Sequence, residues 1–299
     1  MDICVYHSPC TDGLVSAWVV KSANPSVVLL ECIAGENPTV PVETFSNKKV
    51  IFVDVCPKIE YLIDICKVAN KVLIIDHHIT YYTNYQTISP LSNLNYIFDT
   101  KKCGCELVWE YFFPNINMPW FFVYVSDRDL WKSTVPFSKE IGGALYQERH
   151  LSTIQSIQEL TTKNNLEFRS EMIKVGKNII HLKNEMIYSV IRSDIKRCKY
   201  KDYNIWLYTC QRYLLSDVGS KLCKWRFKDQ TYPDFVVYWA YDVNDHKFYI
   251  SLRSSNEENS VDVQKIAKEI HPEGGGHYHA AGLTLEGSTV IRDIFIPVA

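Results

Sequence analysis

Three short apolar runs, each closing on a residue that can bind a metal or carry a proton, constrain this chain more than any other feature. Ile3, Cys4, Val5 and Tyr6 run into His7; Val50, Ile51, Phe52 and Val53 run into Asp54; Val72, Leu73, Ile74 and Ile75 run into Asp76, His77 and His78. Continuous runs rich in Val and Ile fit strands buried on both faces, as in a parallel sheet. Between them, residues 13–21 and 59–69 have helical character. Strand and helix in alternation predict an α/β sheet wound by crossovers. Open sheets of that kind place ligand sites just beyond the carboxyl ends of their strands. Here those ends are His7, Asp54 and the acid-imidazole-imidazole triplet at 76–78.

Further along, Asp127, Arg128 and Asp129 follow the run 120–125, which periodicity leaves open between strand and buried helix. From Phe168 the pattern changes. Phe168, Met172, Val175, Ile179, Leu182, Met186 and Val190 recur at steps of three and four, an amphipathic helix of about six turns. The expected division is a parallel-sheet, metal-binding domain over 1–165, a connector helix over 166–198 and a smaller α+β domain over 199–299. In the last, strands are expected over 205–208, 235–241 and 247–252, with helices over 218–226 and 261–270. A loop of Gly274, Gly275, Gly276 and His277 then precedes a final strand.

Charge and cysteine usage narrow the partners. With 32 Lys+Arg against 34 Asp+Glu and a net charge of −2, the chain has no global basic field for gripping long duplex nucleic acid. A polyanion must be held locally, by a few placed cations or metal ions. No run approaches the roughly 18 apolar residues of a membrane span, and the start of the chain is too polar for a secretory signal. The expected compartment is therefore the cytoplasm, and the ten cysteines read as reduced thiols rather than a disulfide frame. A homodimer is compatible with this sequence, which does not fix the oligomeric state.

Two imidazoles beside a carboxylate at the mouth of a parallel sheet suit a divalent ion. His7, Asp12, Asp54 and Asp127 also fall at or just past element ends. Carboxylates gathered there repel one another unless a cation offsets them. The local alternative makes Asp12 a cap of the helix at Gly13 and Asp54 a turn residue before Pro57. Each alternative fits singly; the set together favours a metal.

A second signal is the run 274–277, followed by Ala280, Ala281 and Gly282. Successive glycines let backbone N–H groups converge on an anion, a phosphate cradle. Arg253 offers a planar fork to a phosphate, or else pairs at the surface with Glu257 or Glu258. The basic stretch 192–201 either tracks a short single strand, with Tyr200 or Tyr203 stacking on a base, or is a solvated helix end. Cys103, Gly104 and Cys105 either begin a helix near the substrate cleft or are structural, and Trp131 reads as packing beneath the metal loop.

In order along the chain, His7 with Asp12 and Gly13, then Asp54, then Asp76, His77 and His78, then the Asp127 region resemble the four motifs of the DHH phosphoesterase superfamily. Residues 274–277 with 280–282 resemble the glycine-rich signature of the DHH-associated carboxyl-terminal domain. Within the superfamily the chain looks most like the short-oligonucleotide phosphodiesterases (nanoRNases and relatives of the RecJ exonuclease). The resemblance implies a two-domain phosphoesterase with a dinuclear Mn²⁺ (or Mg²⁺) centre. It implies that Asp54 bridges the ions, that His7 binds one, and that Asp12, His77 and Asp127 bind the other. Asp76 would orient the adjacent histidines, and His78 would serve the scissile phosphate as hydrogen-bond donor or general acid. Arg253, Gly274, Gly275, Gly276 and His277 would hold a terminal phosphate or nucleotide.

The implied substrate is a short oligonucleotide, or a linear or cyclic dinucleotide, released as 5′-mononucleotides. A phosphoanhydride such as polyphosphate is the alternative substrate, and a non-catalytic nucleotide sensor the alternative role. One position departs from the pattern. Cys10 stands where the family usually carries the first carboxylate of its first motif. Its thiolate would either ligate the His7 ion and tilt it toward zinc, or stay a spectator with water in its place.

Overall fold

Strands β1 (Ile3–His7), β2 (Val28–Cys32), β3 (Lys49–Val53), β4 (Lys71–Asp76) and β5 (Leu94–Phe98) lie side by side in the order β2-β1-β3-β4-β5. Every neighbouring pair is parallel. The computed structural model describes residues 1–79, 91–255, 257 and 260–298, divided between a unit Met1–Ile180 and a unit His181–Ala299.

The continuous apolar runs follow from burial on both faces. Cys4, Tyr6, Ile51, Val53, Leu73 and Ile75 enter one core with helix α1 (Thr11–Ala23). The intervening Ile3, Val5, Val50, Phe52, Val72 and Ile74 enter another with α2 (Ile59–Val68). Each such Val, Ile or Phe removed from water contributes about 1.5–3 kcal/mol. Because β2 and β3 flank β1 on opposite sides, the chain reverses its winding between β1 and β3. That reversal opens a crevice at the carboxyl ends of those two strands.

Helices α3 (Gly104–Phe112), α4 (Phe122–Asp129), α5 (Ser138–Gln147) and α6 (Ile154–Leu160) complete the first core. The ambiguous run 120–125 is thus helical in its second half. Phe121, Phe122 and Val125 lie on one buried side of it, and Asp127 and Asp129 fall in its last turn. Helix α7 (Leu166–Ser193) follows, with Phe168, Met172 and Val175 on the first unit's core and Ile187 and Ile191 on a core of the second.

The second unit is α+β. After β6 (Ile195–Tyr200) come β7 (Tyr203–Tyr208), helix α8 (Leu215–Leu222), β8 (Phe235–Asp242), β9 (Lys247–Arg253), α9 (Val263–Ile270), β10 (Gly275–His277), β11 (Ala280–Glu286) and β12 (Ile296–Pro297). The seven strands are ordered β10-β11-β9-β8-β7-β6-β12, antiparallel except for β7 beside β8. Helix α9 covers one face through Val263, Ile266 and Ala267. Val218 and Leu222 of α8 cover Val236 and Tyr238 on the other.

The basic stretch 192–201 is largely β6 rather than a helix end. Tyr200 is buried beside Phe295, Arg197 pairs with Asp229 at 2.7 Å, and Lys201 pairs with Glu269. Tyr200, Arg197 and Lys201 are thus committed to the fold, while Lys196 and Lys199 stay exposed. Among the described residues no helix is long and apolar enough to cross a membrane.

Candidate metal centre

Asp54 organises the crevice. Its backbone sits in the left-handed region at φ 59, a conformation that Asp tolerates better than most residues. Its N–H still donates to Ile75 O at 3.0 Å, so the side chain is re-aimed while β3 stays in register. One carboxylate oxygen, Oδ2, lies 3.3 Å from His7 Nδ1. The other, Oδ1, lies 3.2 Å from His77 Nε2. Asp54 therefore faces a different imidazole through each oxygen.

His7 ends β1 and leads into α1, whose approach depends on Gly13. A Cβ there would stand 2.2 Å from His7 O. Asp12, in the first turn of α1, is fully buried and is held from across the crevice. Gly104 N–H donates to its Oδ2 at 2.6 Å and Cys105 N–H to its Oδ1 at 2.8 Å. These are the exposed N–H groups at the start of α3, where a helix end favours negative charge. That start is itself fixed by a capping box: Cys103 N–H donates to Glu106 Oε2, which also accepts from Ser126 Oγ. Gly104 has no room for a side chain, since a Cβ would lie 2.8 Å from Asp54 Cβ. Of the two readings of 103–105, the geometry matches a helix start at the site: the segment lies against Asp12 and Asp54.

His77 Nε2 sits 3.5 Å from Asp129 Oδ2 and 3.8 Å from Asp12 Oδ2. Asp76 Oδ1 accepts from the His77 and His78 backbone N–H groups and lies 2.7 Å from His78 Nδ1. Ligand atoms of His7, Cys10 and Asp54 form one group with all separations within 4.8 Å. Those of Asp12, His77 and Asp129 form another, and those of Asp54, Asp76, His77 and His78 a third.

Asp127 is the exception, and it corrects the sequence expectation. Its Oδ1 accepts from Thr134 N–H at 2.7 Å, Thr134 Oγ1 at 3.0 Å and Val135 N–H at 3.0 Å. It fastens the loop after α4 and joins no metal-ligand group among the described residues. Burial works against its ionised form, yet these donors, with Ser138, hold its carboxyl below the ordinary range. Asp129 takes the place in the crevice. Residues two apart on a helix point about 200° away from each other, so only one of the two acids can face it. Nothing in an acid-x-acid pair says which.

The electrostatics favour a cation. Asp12, Asp54 and Asp129 gather in a low-dielectric crevice, and the Oδ2 atoms of Asp76 and Asp129 are buried with no hydrogen-bond partner. Burial, then the charges of Asp54 and Asp129, push the Asp12 carboxyl up to about 8. Burial, with Asp54, also raises Asp129. Burial alone would depress His77, but its bond to Asp54 and the nearby carboxylates raise it to about 9. Asp54 holds its charge against burial through His7 and His77, at about 2. Protons on Asp12 and His77 supply the positive charge that a divalent ion would supply better. Carboxylate oxygens with one imidazole on the Asp12 side fit Mn²⁺ or Mg²⁺.

Trp131, expected beneath the loop, is instead 89% exposed at φ 53, two residues beyond Asp129.

In the second unit, Arg253 pairs across the sheet with Ala280, and Ala280 with His277. Directly paired residues share a face, so Arg253 and His277 flank a small residue on one rung, with strands about 4.8 Å apart. Arg253 Nη2 contacts Ser216 Oγ at 3.4 Å, and no carboxylate lies within ion-pair distance among the described residues; Glu258 falls outside them. The glycine run is an edge strand rather than an open loop. Gly274 leaves the expected cradle: its N–H donates to His271 O, and a Cβ would meet Ala267 O at 2.2 Å. Gly276, at φ 138, lies where a Cβ would meet Ala280 O at 2.5 Å. Only Gly275 opens onto free space.

Residues 226–295 match the family model of the DHHA1 domain. The chain is 29% identical over 309 positions to uncharacterized protein R106 of Acanthamoeba polyphaga mimivirus, covering 96% of this chain and 68% of that protein. Among solved structures it is similar to the pGpG-specific phosphodiesterase PggH from Vibrio cholerae, with a TM-score of 0.49, 11% identity and 95% and 92% of the two chains covered. It is also similar to RecJ from Thermus thermophilus in complex with Mn²⁺, with a TM-score of 0.48, 14% identity and 95% and 49% covered, so it spans about half of that protein.

Proposed function

From the premise that this chain carries a DHHA1 domain and resembles the DHH phosphoesterase superfamily, we propose that it is a metal-dependent phosphodiesterase of short oligonucleotides or dinucleotides. The observation that carries the reading is the placement of Asp54 between two ligand groups, one oxygen toward His7 and the other toward His77. Two divalent ions bound there would acidify a water and offset the charge building on the phosphoryl oxygens.

The chain's own residues do the rest. Asp54 would offer two ions a shared carboxylate: one oxygen faces His7, which groups with Cys10, and the other faces His77, which groups with Asp12 and Asp129. The α3 N–H groups hold Asp12 at a fixed angle, so the site is built before an ion arrives. Asp76 fixes the His78 ring through Nδ1 and sets it to donate a proton to the leaving oxygen.

Trp131 favours a nucleotide over a bare polyphosphate, because an exposed indole two residues beyond Asp129 is a surface on which a base can stack. On the second unit, Arg253 with His277 on the same rung suits a terminal phosphate, a planar fork beside an imidazole.

The test offers purified protein and Mn²⁺ the dinucleotide pApA, a cyclic dinucleotide, a five-nucleotide RNA and polyphosphate. The proposal expects 5′-mononucleotides. Orthophosphate alone, from polyphosphate, would assign a phosphoanhydride hydrolase, and nucleotide binding without turnover a sensor. An abasic analogue of pApA should show a raised KM in the wild type and little further change in Trp131→Ala. An equal loss on both substrates would remove the stacking role.

A further inference from the structure

The two sides of Asp54 differ in chemistry. On one, an imidazole, a thiol and a carboxylate converge: His7, Cys10 and Asp54 bring ligand atoms within 4.8 Å of one another. On the other, Asp12, His77 and Asp129 bring two carboxylates and an imidazole. Cys10 is half-buried and stands immediately before α1, with the Asp12 and Gly13 backbone N–H groups beside its sulfur; burial and the neighbouring Asp54 and Asp12 carboxylates raise the thiol, so in the metal-free protein it keeps its proton. Two further thiols lie near the centre: Cys103 and Cys105 are fully buried, lie 3.4 Å from each other and bring their sulfurs within 4.8 Å of an Asp12 oxygen, but the Asp12 oxygens already accept the α3 N–H groups and no imidazole joins that group.

A thiolate carries the same charge as a carboxylate, so a cysteine at this position conserves the charge of the centre and changes only its softness. Nitrogen, sulfur and oxygen from three side chains, with a position left for water, form the donor set of a catalytic zinc site. Thiolate selects borderline and soft ions, whereas carboxylate oxygen suits Mg²⁺ and Mn²⁺.

Resting on the metal-centre reading above, we infer that the centre is heterobinuclear. A Zn²⁺-class ion sits on His7, Cys10 and Asp54, and a hard Mn²⁺ or Mg²⁺ ion sits on Asp12, His77, Asp129 and the second oxygen of Asp54. Cys10 ligates as the thiolate, and its proton leaves to solvent when the ion binds.

Cobalt reports on such a site without any turnover, because a thiolate bound to Co²⁺ gives a near-ultraviolet charge-transfer band. Full-length metal-free protein titrated with Co²⁺ should develop that band to one equivalent. Cys10→Ser and Cys10→Asp should lack it, and Cys103→Ser with Cys105→Ser should keep it. Mn²⁺ binding by Cys10→Ser, read by electron paramagnetic resonance, shows that the variant is folded and that the hard side is intact.

In mixed Zn²⁺ and Mn²⁺, the wild type should retain one ion of each per chain by elemental analysis, and Cys10→Asp should retain two Mn²⁺. Its Zn²⁺ preference should fall by at least the roughly 10–100-fold that even an outer partner of a metal ligand is worth. Cobalt bound without the band, or a band surviving in Cys10→Ser, overturns the thiolate assignment alone. Failure to bind cobalt, zinc or manganese at all overturns the metal-centre reading with it.

Discussion

The crevice at Asp54 and the rung at Arg253 are built from similar side chains in opposite circumstances. In the crevice, acids are buried beyond what their neighbours can satisfy. Asp129 Oδ2 and Asp76 Oδ2 have no hydrogen-bond partner, and Asp12 is pushed toward protonation. On the rung, Arg253 is only partly buried, and a serine hydroxyl is its polar contact. A buried charge left unpaired is costly, and an exposed one is not. The first region therefore gains from a cation, or from protons in its place, whereas the second offers a fork to an anion. Substitutions in the crevice should abolish function, and those on the rung should weaken it.

The largest effect should come from Asp54→Ala. Both ligand groups lose their shared oxygen pair, and Mn²⁺-dependent hydrolysis should fall by at least the roughly 10²–10³-fold that one charge-stabilising group supplies. Circular dichroism should stay native. Substantial activity in this variant would break the contrast outright.

Asp129→Asn and Asp127→Ala should separate function from framework. The first removes a partly buried carboxylate that crowds Asp54 but faces His77 at 3.5 Å, so the metal-free protein should melt close to wild type while Mn²⁺ binding is lost. The second strips the Thr134 and Val135 N–H groups of their acceptor, costing about 1–3 kcal/mol per unsatisfied group, read as a lower melting temperature. Loss of Mn²⁺ binding in Asp127→Ala with unchanged melting would reverse the assignment.

Gly104→Ala comes next. The added methyl would stand 2.8 Å from Asp54 Cβ, and overpacking of this kind costs about 1–3 kcal/mol. Metal affinity should drop together with stability, and both are measurable by calorimetry.

The smallest effect belongs to the rung. Arg253→Ala should raise KM for a 5′-phosphorylated dinucleotide by tenfold or more, from a charged hydrogen bond of roughly 1.5–3 kcal/mol, with kcat unchanged. A fall in kcat with unaltered KM would place Arg253 in a different role.

The same contrast explains what the sequence could disclose. Strand ends carrying His7, Asp54 and Asp76 were legible because a parallel sheet buried on both faces writes itself as unbroken apolar runs, and its topology fixes where those runs end. Asp129 was not legible. The choice between it and Asp127 depends on the rotation of a helix whose run 120–125 gave no clear period. The hold of α3 on Asp12 joins residues 92 and 93 positions apart, through backbone N–H groups that every sequence possesses. The glycines at 274 and 276 were visible, but their reason was not. They answer to close contact with Ala267 and Ala280, which resembles an anion loop when only composition is seen.

Diffraction from crystals grown in excess Mn²⁺, with anomalous data collected at the manganese edge, tests the central claim most directly. The account predicts two peaks about 3.5–4 Å apart, one beside each oxygen of Asp54, with Asp129 rather than Asp127 on the inner ion. A crevice without density under saturating Mn²⁺, or a peak held by Asp127 instead, would contradict it.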